Sequence, residues 1–162
     1  MEVFYGTERV NSEELPFFSK ARQHIDTCMD STRPSFAITI ESIKKSFIDA
    51  KNRGVKLRYL TEITDANISY CKELMSIVDE VRHLDGIRGN FMLSEIEYLA
   101  PATSHQEAKL AALIIYSSVK EIVEHQQYMF DRRHETDFDI DIDSKYLLTQ
   151  FKSVHMWHVN VN

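Results

Sequence analysis

The stretch IKKSFIDAKNRGVKLRYLTEI, residues 43–63, decides the fold. Ile40, Ile43, Phe47 and Ala50 recur at helical spacing, and Lys44, Lys45, Asp49 and Lys51 take the opposite face. Gly54 follows a basic last turn (Lys51, Arg53). A glycine just past a helix can adopt the left-handed conformation, and cations suit the carboxyl end of the helix dipole. Val55 to Leu60 then has the β-branched and aromatic content of a strand. A helix passed by one glycine into a strand is half of a βαβ unit.

Working outward, Ile25 to Met29 is predicted as the preceding core strand, with Asp30-Ser31-Thr32-Arg33-Pro34 a polar loop. Before it, Asn11-Ser12-Glu13-Glu14 has the capping-box pattern for a helix that buries Leu15, Phe18 and Ala21. Glu2 to Tyr5 is a short edge strand or an unstructured start. Downstream, Thr61 to Asn67 is a second strand-end loop. Ile68, Cys71, Leu74, Met75, Val78 and Val81 predict a helix over 67–84, broken by Gly86 and Gly89. Asn90–Leu93 and Ile96–Ala100 are predicted as a hairpin closed by Pro101. LAALIIY, residues 110–116, is a buried strand, and Ser118-Val119-Lys120-Glu121 opens a final helix with Val119, Ile122, Val123, Gln126 and Phe130 on one face. The expected fold is α/β: a mixed sheet with helices on both faces. A domain over 1–135 is followed by a tail or extra element over 136–162.

Composition narrows the function. The chain has 162 residues, 43% hydrophobic and 27% charged, with a net charge of −6, as in an ordinary globular domain. That charge opposes a general nucleic-acid binder or docking on an anionic membrane. Two cysteines, Cys28 and Cys71, fit buried reduced thiols of a cytoplasmic protein. Neither a secretory leader nor a membrane span is expected.

Strong catalytic motifs are lacking: there is no P-loop, G-x-G-x-x-G, G-x-S-x-G or H-E-x-x-H. No enzyme activity, cofactor or metal is expected. The densest reactive run is Arg82-His83-Leu84-Asp85-Gly86-Ile87-Arg88-Gly89-Asn90, which suits either an anion site or a charged helix end. Asp139-x-Asp141-x-Asp143 resembles a calcium loop, but Ser144 and Gln150 stand where glycine and glutamate are needed. His155-Met156-Trp157-His158 lacks a third ligand. In open α/β sheets ligands bind beyond the carboxyl ends of strands. The candidate ligand-binding residues are therefore Arg33, Thr61, Glu62, Arg82, His83, Asp85, Ser117 and Ser118, a set rich in donors and poor in general bases.

The runs FFSKARQHIDTCMDSTRPS, IKKSFIDAKNRGVKLRYLTEIT, YCKELMSIVDEVRHLDGIRGNFMLSEIEYLAPA and IIYSSVKEIVEHQQYMFD together resemble the N-terminal regulatory domain of sensor histidine kinases from ammonia-oxidising archaea. The resemblance covers about residues 2–131 and implies a signal-sensing domain of a two-component-type system that binds a small molecule or a signalling protein. Such kinases continue into a phosphoacceptor helix and an ATP-binding domain, which this sequence lacks. The layout also resembles a phospholipase-D-like half-domain. Those enzymes require H-x-K-x4-D, and residues 87–95 contain neither histidine nor lysine. A divergent phosphodiesterase using His83 and Asp85, or a pure interaction scaffold, are the alternatives. In the kinase family the helix Ser118–Arg133 leads to the output, and Tyr128 and Met129 on its second face offer a homodimer contact.

Overall fold

The computed structural model describes residues 1–5, 16–102 and 113–136. The expected calcium-like run, the His155–His158 pair, the capping box at 11–14 and the tail lie outside them. Among the described residues seven strands form one sheet: β1 (Glu2–Tyr5), β2 (His24–Met29), β3 (Lys56–Thr61), β4 (Glu80–His83), β5 (Phe91–Ser94), β6 (Tyr98–Ala102) and β7 (Leu113–Ser117). Their spatial order is β1-β7-β6-β5-β2-β3-β4. Strands β2, β3 and β4 are parallel neighbours, and the pairs β2–β5, β5–β6, β6–β7 and β1–β7 are antiparallel. The helices are α1 (Arg33–Thr39), α2 (Glu41–Asn52), α3 (Ile68–Ile77) and α4 (Lys120–Thr136), with a further helical turn at 16–20. This is the mixed α/β sheet that the sequence predicts.

Alternation along the strands sorts the core into two faces. On the first, Ile25, Met29, Leu57, Tyr59, Met92 and Leu99 pack with Phe17, Phe18, Ala37, Phe47, Ala50 and Leu74 from the 16–20 turn and α1–α3. On the second, Cys28, Leu60, Phe91 and Leu93 meet Ile87 and Phe130, the latter from α4. That face also buries charge. Asp26 lies beneath α4, and Arg58 donates to both of its carboxylate oxygens at 2.7 and 2.6 Å and to Asp131 at 2.9 Å. Gln127 donates to Asp26 at 2.7 Å. Gly54 has φ +85°, the left-handed conformation expected at the end of α2.

Four expectations need correction. The loop 30–34 ends early, because α1 begins at Arg33 with Pro34 in its first turn, where a missing N–H costs nothing. The helix expected to reach Leu84 stops at Ile77. Val78 is extended (ψ 169°) and β4 runs parallel to β3. Apolar residues at 74, 77, 78 and 81 keep a helical spacing through this boundary, and the free edge of β3, not the spacing, decides for the strand. The reading of Arg82 and His83 as a helix end falls with it. Pro101 lies within β6 rather than after it. Finally, Ser117 and Ser118 do not join the other strand-end loops. Strand β7 runs antiparallel to β2, so its carboxyl end sits beside Tyr98, at the opposite end of the sheet from Asp30 and Thr61.

Candidate ligand-binding groove

The groove forms on the second face, between α4 and the connection 84–90. Gly86 turns that connection with φ +70°. Ile87 is then buried against the cluster under α4, which anchors the loop and leaves Arg88 and Gly89 at its rim. Phe91, at the start of β5, meets Phe130 edge-on at 6.4 Å and Tyr98 at 6.0 Å. Arg133 of α4 lies over the Phe91 ring at 5.9 Å, a distance at which a cation is attracted to the ring face. The resulting groove, about 680 Å³, is lined by Leu84, Phe91, Tyr98 and Met129 at apolar positions and by Arg88, His125 and Arg133. Among the described residues that line it, Asp85 is the one carboxylate. Burial pushes the Tyr98 hydroxyl above its ordinary range, and the Arg133 charge opposes this.

Of the eight residues predicted from sequence, Asp85 alone lines this groove. Thr61 and His83 are register partners on the other face of the sheet. Thr61 is buried and donates to the Asp30 carbonyl at 3.3 Å, whereas Glu62 is half-buried in the loop that follows. Arg82 projects towards α4, where it donates to the His134 carbonyl at 3.0 Å and pairs with Glu80. Arg33 lines a small separate cavity on the first face. Ser118 borders a third hollow with Glu95, Lys120 and Glu124, while the Ser117 hydroxyl accepts from the Val119 N–H at 3.2 Å. Phe91, His125 and Arg133 escaped the sequence reading, and Arg88 entered it only within the reactive run 82–90. One signal was present: 125, 129 and 133 are successive i, i+4 positions on α4, a face distinct from the Val123–Phe130 stripe.

Two candidate nucleophiles, His83 and Cys71, are constrained by their surroundings. His83 is 6% exposed; its Nδ1 accepts the Ile63 N–H at 2.9 Å, and its Nε2 lies 2.7 Å from Asp85 Oδ1. An accepting Nδ1 places the proton on Nε2, where it is donated to Asp85. Neither nitrogen then offers a lone pair to a phosphorus centre. Burial pushes the Cys71 thiol up to about 11, so it is not a thiolate at neutral pH. Among the described residues no group of three or more histidine, cysteine or acidic side chains is placed to hold a metal ion.

No protein-family model and no curated protein matches the sequence. Solved structures do. Nuc from Salmonella typhimurium, a phospholipase D family member, superposes with a TM-score of 0.66 at 16% identity over 86% of this chain and 96% of Nuc. The fold is phospholipase-D-like. NucT from Helicobacter pylori agrees at TM-score 0.64 and 13% identity, covering 86% of this chain and 98% of that one. TrmBL2, an archaeal chromatin protein whose structure is described as showing a novel mode of DNA binding, matches at TM-score 0.61 and 14% identity. Here 86% of the chain spans only 54% of TrmBL2. Identities this low establish the shared phospholipase-D-like fold. Among the described residues no helix is long and apolar enough to cross a membrane.

Proposed function

We propose that this chain is a non-hydrolysing phospholipase-D-like domain that binds an anionic, ring-bearing phosphate ester in the groove between the 84–90 connection and α4. The observation that carries the reading is the placement of Arg88, Arg133 and His125 around the Phe91–Tyr98 floor. Arginine forks suit phosphate oxygens and an aromatic floor suits a planar ring. The occupied His83 ring supports binding without turnover. Arg133 belongs to α4, so a ligand that draws Arg88 and Arg133 together bears directly on that helix. The sensing output rests on the sequence resemblance to kinase regulatory domains, in which this helix leads onward. A homodimer through α4 belongs to the same proposal, because Tyr128 is 61% exposed on it; a monomer mass in light scattering at high concentration would exclude it.

The likeness to Nuc and NucT supports a second reading, a divergent phosphodiesterase. One experiment separates the two. Isothermal titration with nucleoside monophosphates is run beside a hydrolysis assay on bis(p-nitrophenyl) phosphate, using wild type, Arg88→Ala/Arg133→Ala, His83→Ala and His125→Ala. Binding without hydrolysis, abolished in the double-arginine variant, supports the proposal. Turnover lost in either histidine variant establishes the phosphodiesterase. Neither binding nor turnover with a well-folded protein leaves the interaction scaffold.

A further inference from the structure

The groove between the 84–90 connection and α4 carries one side chain that opposes an anion. Asp85 lines it together with Arg88 and Arg133, and a carboxylate repels a phosphate that arginines attract. The acid is held in place from beneath. His83, 6% exposed, donates from Nε2 to Asp85 Oδ1 at 2.7 Å, because the Ile63 N–H already occupies its Nδ1 at 2.9 Å. These bonds tie the carboxylate through β4 to the loop after β3, although the Asp85 side chain is itself 88% exposed. Among the described residues His83 is its only partner. Neither Arg88 nor Arg133 is paired with it, and its second oxygen is left as an acceptor at the groove.

What this acceptor can bind is limited by its neighbours. A cationic donor would meet the like charges of Arg88 and Arg133 in the same groove. A second anion would meet the acid itself. A neutral donor on the molecule that carries the phosphate satisfies both constraints. In a nucleotide the ring stacks, the phosphate pairs with arginine, and the sugar that joins them bears hydroxyls. An acid that accepts from ribose hydroxyls beside a bound phosphate is the arrangement by which dinucleotide-binding folds hold a ribose.

We infer that Asp85, positioned by His83, reads the ribose hydroxyls of a nucleotide in this groove and so selects ribonucleotides over deoxygenated ones. The inference rests on the groove being a site for a phosphate ester. Its test is isothermal titration of the whole chain with adenosine monophosphate and with the dideoxy nucleotide, which keeps base and phosphate but lacks both hydroxyls. The wild type is expected to bind adenosine monophosphate about tenfold more tightly, the worth of a hydrogen bond to a charged group. Asp85→Ala is expected to bind it no better than the dideoxy nucleotide. Asp85→Asn keeps an acceptor for His83 and turns the second oxygen into a donor, so its preference should fall with the packing intact. Damage to the whole groove would weaken both nucleotides and keep their ratio, and a ratio that survives in a folded Asp85→Ala protein overturns the inference. Equal binding of the two by the wild type, abolished in Arg88→Ala/Arg133→Ala, overturns it while the phosphate-ester site stands. No binding of either by the folded wild type removes that site, and this inference with it.

Discussion

Arg58 lies in the strand at the centre of the quoted stretch, and its surroundings set a firm expectation for its loss. Its guanidinium is the principal answer to Asp26, which has no exposed surface. Arg58→Met leaves that carboxylate buried with Gln127 as its remaining side-chain donor, and removal of one partner from a buried pair costs about 3–5 kcal/mol. Urea denaturation should show that loss, and Asp26→Asn with Arg58→Met should recover much of it, because the second change removes the stranded charge. Asp30 carries a pH dependence. Burial raises its pKa, but hydrogen bonds from Thr32 and Asn90 and the Arg33 charge outweigh this and hold it below the ordinary carboxylate range. A depressed carboxylate stabilises the fold above its unfolded pKa of about 3.9. That contribution is lost as pH falls through the lower, folded value. Asp30→Asn should therefore be less stable than wild type at neutral pH, with the difference closing below about pH 4. At this scale the sequence disclosed little. Asp85 is legible as a polar residue in a loop, but nothing in the order of residues reveals that Arg33 opens a helix or that Arg133 reaches Phe91. The second fact depends on elements far apart in the chain.

Elements were more legible, because each is governed by local spacing. The Ile40–Ala50 repeat, the glycine at 54 and the strand after it stand where periodicity and capping place them. The final helix also appears, but its entry differs by one serine. The hydroxyl that meets the incoming backbone belongs to Ser117, still in β7, whereas Ser118 is exposed. Ser117→Ala should cost about 1 kcal/mol, as the loss of a helix-entry acceptor does, and Ser118→Ala should be nearly neutral; paired thermal melts check both. The segment 78–83 shows the limit of spacing. Its residues suit a helix as well as they suit β4, and the choice is made by β3, which offers an open edge only once the sheet has formed. The reversal at Ser117 has the same origin: strand direction is a property of the whole sheet and is not written in any one strand.

For the whole molecule, α4 is the only helix among the described residues that covers the second face. Deleting it would bare Cys28, Leu60, Phe91 and Leu93 together with the Asp26–Arg58 pair. We propose a domain boundary near residue 135. A chain ending at Thr136 should melt cooperatively at an unchanged temperature, and a chain ending at Ser118 should show no cooperative transition; calorimetry on both distinguishes them. The sequence's shift towards alternating acids after residue 135 is the ground for proposing that boundary, and the amphipathic pattern of α4 made the helix visible. Which face the helix would roof was not visible, because the central strands carry apolar residues on both faces.

The bonds from Gln127 and Asp131 onto Asp26 and Arg58 also impose an order in time. On a ribosome, β2 and β3 emerge long before residue 127 does, so their charged pair is still open to water while all seven described strands already precede it in the chain. Water can solvate the pair in the interim, which spares the nascent sheet a buried charge without its full complement of partners. The last helix then seals that face, and its docking commits the chain to the native fold.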